Sequence, residues 1–153
     1  MAEAQLFSKR ELKFLDELNA RSVRYLVVGL AAAAVQGAPI VTQDVDLWIE
    51  KLNDKEFLAA VRKVGGAFVP RIGHNPPMLA GKGLELFDLV VHVHGLEEFD
   101  HEYQQCVRET LGSTEVTLLS LEQIIKSKKA LNRAKDKLVI PVLEDALRAN
   151  RGS

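Results

Sequence analysis

The chain has a single cysteine, Cys106, so no internal disulfide can form and nothing argues for an oxidising compartment. No apolar run reaches the roughly 18–20 residues needed to cross a bilayer. The opening residues lack the basic-then-apolar pattern of a signal peptide. A cytoplasmic protein with no membrane partner is therefore expected. An excess of one charge is also missing. The 20 basic and 21 acidic residues leave a net charge of −1, which gives no overall electrostatic footprint for nucleic acid or an anionic surface. Internal repeats and low-complexity tracts are absent. What remains, 47% hydrophobic and 27% charged over 153 residues, is ordinary for a soluble globular chain. That length makes one domain over residues 1–153 the default, with its core at about 20–118 and a helical C-terminal segment at about 120–150.

Hydrophobic period and capping signals place the elements. Ser8 with Glu11 is a capping box that opens a helix with Leu12, Phe14, Leu15 and Leu18 on its apolar face, and Phe7 can staple onto Leu12. Val23 to Val28 reads as a buried strand. Leu30 to Gln36 reads as a short helix closed by Gly37. Asp44 to Glu50 alternates polar and apolar residues, the period of a strand with one face buried. Asn53 with Glu56 predicts the start of a helix that runs to Gly65-Gly66. Ala67 to Ile72 is a short strand. Gly73 to Gly83 is a glycine- and proline-rich loop from which His74, Asn75 and Lys82 could face a site, or else a solvated connection. Leu84 to His94 is a third clear strand, and Leu96 to Cys106 contains a short helix. A small pair of strands follows, Val107 to Leu111 and Glu115 to Leu118. Ser120 then caps a helix that begins LEQIIKSKKALNRAKD, and Pro141 should kink or restart the last helix. The expected fold class is α/β (α+β), a small mixed sheet of the three clear strands flanked by helices.

Three carboxylates carry the chemistry. Strand parity puts Asp44, Asp46 and Trp48 on one face, and two ionised carboxylates two residues apart repel unless a cation lies between them. Asp88 stands in a strand so apolar that an aspartate there needs a pairing, a hydrogen bond or a metal. His92 and His94 share a strand face and could be zinc ligands with Asp88 or His101, or could be partly solvated structural histidines. Lys128 falls within the apolar stripe of Leu121, Ile124, Ile125 and Leu131, so its ammonium must meet an anion or snorkel outward. It belongs to the one dense basic run, with Lys126, Lys129, Arg133, Lys135 and Lys137.

The order strand, Gly29, small-residue helix, Gly37, a proline-containing loop with Thr42, then Asp44-Val45-Asp46 resembles the nucleotidyltransferase superfamily with the DNA polymerase β-like fold. The likeness is to its small bacterial minimal and AbiEii-type members. Ser127-Lys128, Arg133 and Lys135-Asp136 are similar to the family's C-terminal signature, so the resemblance spans roughly Val23 to Leu147. It implies transfer of a nucleoside monophosphate from a nucleoside triphosphate to an acceptor hydroxyl. Asp44, Asp46 and Asp88 would be the catalytic carboxylates and the ligands of Mg²⁺ or Mn²⁺. Gly29, Leu30, Thr42 and Lys128 would bind the nucleotide. Two positions depart from the pattern: Leu30 replaces a small residue at the glycine turn, and Ile40 replaces an arginine two residues before the threonine. A catalytically weak nucleotide-binding relative, or an interaction component of a toxin–antitoxin pair, is thus an alternative. The acceptor (small molecule, RNA or protein), the choice of nucleotide and association as a homodimer or with a partner protein stay open.

Overall fold

The computed structural model describes residues 6–152, with six helices and seven strands among them. In chain order these are α1 (Lys9–Ala20), β1 (Tyr25–Val28), α2 (Gly29–Val35), β2 (Val45–Ile49), α3 (Lys55–Lys63), β3 (Ala67–Val69), β4 (Met78–Ala80), β5 (Phe87–Val90), α4 (Phe99–Tyr103), β6 (Val107–Leu111), β7 (Thr114–Leu118), α5 (Leu121–Leu131) and α6 (Ala134–Arg151). Five strands form one mixed sheet in the order β5-β2-β1-β7-β6, and β3 and β4 form a separate hairpin. The fold class is as expected, but the sheet is larger. The pair β6–β7 is not a separate ribbon. β7 runs parallel to β1 and makes β1 the central strand.

That position explains the composition of β1. Tyr25, Leu26, Val27 and Val28 are all buried, as an apolar run covered on both faces requires. The Tyr25 hydroxyl accepts from the Thr117 N–H at 3.3 Å and lies 3.2 Å from Asn19 Oδ1, linking α1, β1 and β7. Burial pushes its phenol up to about 12.

The local signals were mostly read correctly, with shifts of register. Ser8 and Glu11 form the capping box of α1, but Phe7 stacks on Phe87 of β5, with ring centroids 6.3 Å apart. Asp54, not Asn53, caps α3, its carboxylate accepting from the Glu56 N–H. The glycine-rich loop contains β4, so it is part of a hairpin rather than wholly open chain. The third strand is only four residues long and ends at Val90, which leaves His92 and His94 beyond the sheet. Ser120 caps α5 as expected, but the helix stops at Leu131 because Asn132 adopts a left-handed conformation (φ 52°). A new helix, α6, then begins at Ala134 and runs unbroken through Pro141. Pro141 and Lys137, whose carbonyl loses its helical donor, are both exposed, where water can replace the missing bond.

Gln36 is the joint that sets α5 over the sheet. Its amide donates to the Leu119 carbonyl at 2.8 Å and accepts from the Leu121 N–H at 3.2 Å, bridging the end of α2 to the start of α5. From α6, the Asn150 amide donates to the Gln36 carbonyl at 2.8 Å. Both C-terminal helices are thereby tied to the edge of the carboxylate face.

Candidate functional site

The faces of the sheet follow from ring contacts and parity. Phe87 packs against Phe14 of α1, with centroids 5.5 Å apart, so the next residue, Asp88, projects to the other face. Asp46 pairs with Asp88 across the parallel β2–β5 ladder and with Val28 across the antiparallel β1–β2 ladder. Strands in a sheet lie about 4.8 Å apart, so two carboxylates leave adjacent backbones on the same side. Asp44, just ahead of β2, is near enough for its charge to act on both Asp46 and Asp88. Trp48 shares the face of Asp46, yet is only 4% exposed because Phe99 covers it edge-on at 5.3 Å.

The electrostatics register the crowding. Asp46 is half-buried, and its carboxyl is pushed above the usual range by desolvation, then by the charge of Asp88 and by Asp44, against the pull of Lys128. Asp88 is exposed, and it too is pushed up, by desolvation and then by Asp44. The three charges are neighbours without closing on one point. Among the described residues, no group of three or more His, Cys, Asp or Glu side chains is gathered tightly enough to hold a metal ion.

Lys128 reaches the same face from α5. Its side chain is 17% exposed and its Nζ lies 3.9 Å from Asp136 Oδ1. Desolvation lowers the ammonium, while Asp136 and Asp46 act in the opposite sense. Asp136 itself is held by Arg133, which donates from Nε at 2.7 Å, from a terminal guanidinium nitrogen at 3.0 Å and from its backbone N–H at 3.0 Å. The Arg133 hydrogen bonds pull the Asp136 carboxyl down to about 2.

Gly29, Asp46 and Lys128 line one cavity of about 180 Å³, together with His92, His94 and Arg133. Gly29 has φ +68°, and a side chain there would bring its Cβ within 3.1 Å of Asp46 Oδ2, so the close approach of the turn to the carboxylate calls for glycine. Leu30 and Thr42 do not line this cavity. Leu30 lies half-buried in the first turn of α2, and the Thr42 hydroxyl donates to the Asp44 carbonyl at 3.2 Å. Ile40 packs against the core, an apolar role for the position that departs from the family pattern. In the hairpin region, Asn75 borders a groove beside Asp88, Lys82 borders a different one with Arg10 and Lys13, and His74 is exposed. His92 and His94, read from the sequence as zinc ligands or as partly solvated structural histidines, were not expected in a cavity with Lys128. Their place beside Asp46 and Lys128 depends on how the chain turns after β5, which the His-x-His spacing does not encode.

No family model matches the chain, and no curated protein is similar to it in sequence. Solved structures are similar in fold. One is ANT(2″)-Ia in complex with adenylyl-2″-tobramycin, 16% identical, with a TM-score of 0.58 over 91% of this chain and 88% of that one. The solution structure of ANT(2″)-Ia, also 16% identical, gives a TM-score of 0.57 over 99% of this chain and 94% of that one. An antigenic nucleotidyltransferase-like protein from Paracoccidioides brasiliensis, 21% identical, gives 0.57 over 94% of this chain and 78% of its own. With the mixed sheet and the carboxylate face already in place, these likenesses show that the chain shares the fold of ANT(2″)-Ia and of that nucleotidyltransferase-like protein.

Proposed function

We propose that the protein transfers a nucleoside monophosphate from a nucleoside triphosphate to an acceptor hydroxyl. The observation that carries this reading is the cross-strand pairing of Asp46 with Asp88 beside the Gly29 turn and under Lys128. The fold shared with ANT(2″)-Ia, solved with an adenylylated product, supports it.

The donor set suits Mg²⁺ or Mn²⁺. All three candidate ligands, Asp44, Asp46 and Asp88, present hard carboxylate oxygens, and Mg²⁺ commonly takes only one or two carboxylates and completes its shell with substrate phosphates and water. A pre-gathered cage of three is therefore not required. A divalent ion held there supplies Lewis-acid charge at the reacting phosphate and the leaving pyrophosphate. The side chains have distinct tasks. Lys128 offers a part-buried ammonium to the triphosphate, and Gly29 admits phosphate close to the backbone. Asp88, exposed and with its carboxyl pushed up, accepts the proton of the attacking hydroxyl.

The test combines thermal unfolding with product analysis. Mg²⁺ or Mn²⁺ should raise the melting temperature more with nucleoside triphosphate present than without it, and the double substitution Asp44→Asn with Asp46→Asn should remove that increment while the fold persists. Labelled triphosphate incubated with cell extract should yield labelled acceptor. An increment that survives the double substitution would move the site elsewhere. Metal-dependent binding without any labelled product would favour the catalytically weak relative, to which Leu30 and Ile40 already point.

A further inference from the structure

The Asp46–Asp88 pair stands between two spaces of opposite character. On the Asp46 side is the cavity with Lys128, Arg133, His92 and His94, whose cations suit a polyphosphate. On the Asp88 side is a groove of about 540 Å³, between the β3–β4 hairpin and the edge strand β5. No basic side chain lines that second space. Its walls include Pro70, Ile72, Pro77, Met78 and Leu89, and its acidic groups are Asp88 and Glu85. Glu85 is already engaged, accepting from the Gly83 N–H at 3.2 Å. Ile72 and Met78 are two of the few large apolar side chains left exposed, at 64% and 54%.

Resting on the nucleotidyl-transfer reading above, we propose that this groove is the acceptor subsite and that it takes a small alcohol or phenol with an apolar body. Attack at phosphorus is in line, so the nucleophile enters opposite the leaving pyrophosphate. If the triphosphate tail lies with Lys128, the hydroxyl comes from the Asp88 side. The acceptor oxygen bonds to the α-phosphorus, its proton passes to the Asp88 carboxylate, and the α–β phosphoanhydride bond breaks to release pyrophosphate. The volume lies within the range of about 300–1,000 Å³ typical of small-ligand pockets, and a mostly apolar lining with one reactive polar group is the usual make-up of such pockets. A nucleic-acid acceptor would need cations along its phosphates, whereas this groove presents carboxylates.

The test uses 2-phenylethanol, glycerol and a short single-stranded RNA as probes of the full chain. In methyl NMR spectra, 2-phenylethanol should shift the Ile72 and Met78 signals, and glycerol and RNA should leave them in place. With triphosphate and Mg²⁺, mass spectrometry should detect the phenylethyl ester of the nucleoside monophosphate. Ile72→Glu should lower its formation at least tenfold while leaving nucleotide affinity and the slow release of pyrophosphate to water unchanged. Because Ile72 is exposed, the variant should fold, and the wild-type methyl shifts provide a readout independent of it. Nucleotide binding with no shift from 2-phenylethanol, or a shift from RNA or glycerol instead, overturns the acceptor assignment alone. Shifts from 2-phenylethanol in a protein that binds no nucleotide overturn the transfer reading and, with it, the acceptor role of the groove.

Discussion

Two aspartates flank Lys128, and their surroundings differ. Asp136 is buried, 2% exposed at its side chain, and receives three hydrogen bonds from Arg133. Asp46 is half-buried, receives no comparable set, and stands beside two like charges. Accordingly, the Asp136 carboxyl is held down to about 2 while that of Asp46 is pushed up. The Asp136 charge is satisfied within the fold and secures the first turn of α6. The Asp46 charge has no such partner set, and on the proposed reading it would be met by a divalent cation. A carboxylate held at a cost to the apo protein is a mark of a functional site rather than a structural pair.

The contrast is exposed to test at each of its parts. Asp46→Asn should give the largest effect, a rate loss of about 10³-fold, since a metal ligand contributes several kcal/mol of transition-state stabilisation. The same variant should melt no lower than wild type in the absence of metal and nucleotide. Steady-state transfer assays and calorimetry read the two, and a clear loss of apo stability would place Asp46 with Asp136 as a structural residue.

Asp136→Asn should do the reverse. It leaves the Arg133 guanidinium without its anion and frees the start of α6, so the apo melting temperature should fall. Nucleotide titration on the folded fraction should show affinity little changed. Unaltered stability would mean that the Arg133 pairing secures nothing.

Lys128→Met keeps the volume of the stem and deletes the charge. At 3.9 Å from an Asp136 already satisfied by Arg133, the ammonium adds little to the fold. Apo stability should therefore hold or rise, because an imperfectly paired, part-buried cation has been removed. Nucleotide affinity should weaken by an amount on the order of 1.5–3 kcal/mol, typical of a charge-assisted contact. Isothermal titration decides, and destabilisation with unaltered binding would sink the functional assignment of Lys128.

The smallest effect is on pH dependence. For Asp46 the folded carboxyl is raised, so ionising it costs stability as pH climbs from the ordinary carboxylate range through the raised value, and the cost then stays constant. The stability gap between Asp46→Asn and wild type, in the presence of a chelator, should be absent at low pH and open in that window. For Asp136 the folded carboxyl is depressed, so its contribution is complete above the ordinary value of about 3.9 and is lost as pH falls towards 2. Parallel melting curves for wild type and Asp136→Asn should therefore converge only in strong acid. A gap for Asp46→Asn that widens towards acid would reverse the assignment.

Some of this was legible in the residues. Ser8 with Glu11, and Ser120 with Gln123, make their caps through contacts three positions apart, so neighbouring letters suffice. The alternation of Asp44 to Glu50 predicted a strand, and β2 forms over Val45–Ile49 with Asp46 on the half-exposed side. The chain order around Gly29 and Asp-x-Asp supported the fold class that the solved neighbours bear out. Elsewhere the same rules misread extent. Leu84 to His94 alternates like one long strand, but only Phe87 to Val90 finds a partner, along Val45 to Trp48 of β2. The helix begun at Ser120 has no proline or glycine to stop it, yet Asn132 turns left-handed and starts a second one.

By itself the sequence determined what short-range forces dictate: helix starts, strand parity, the glycine turn and the types of side chain available for chemistry. Tertiary structure decided which of them meet. Asp88 faces Asp46 because β2 and β5 pair in one particular register, and a slip of one residue would send it to the α1 side. Lys128 overlooks Asp46 because Gln36 bonds to residues at the start of α5, 85 positions away in the case of Leu121. β7 lies beside β1 through ladder bonds between segments far apart in the chain. The ladder contacts are formed by backbone amides and carbonyls, which every residue but proline carries alike, and the Gln36 amide likewise meets only backbone groups at Leu119 and Leu121, so no local pattern of side chains announces them.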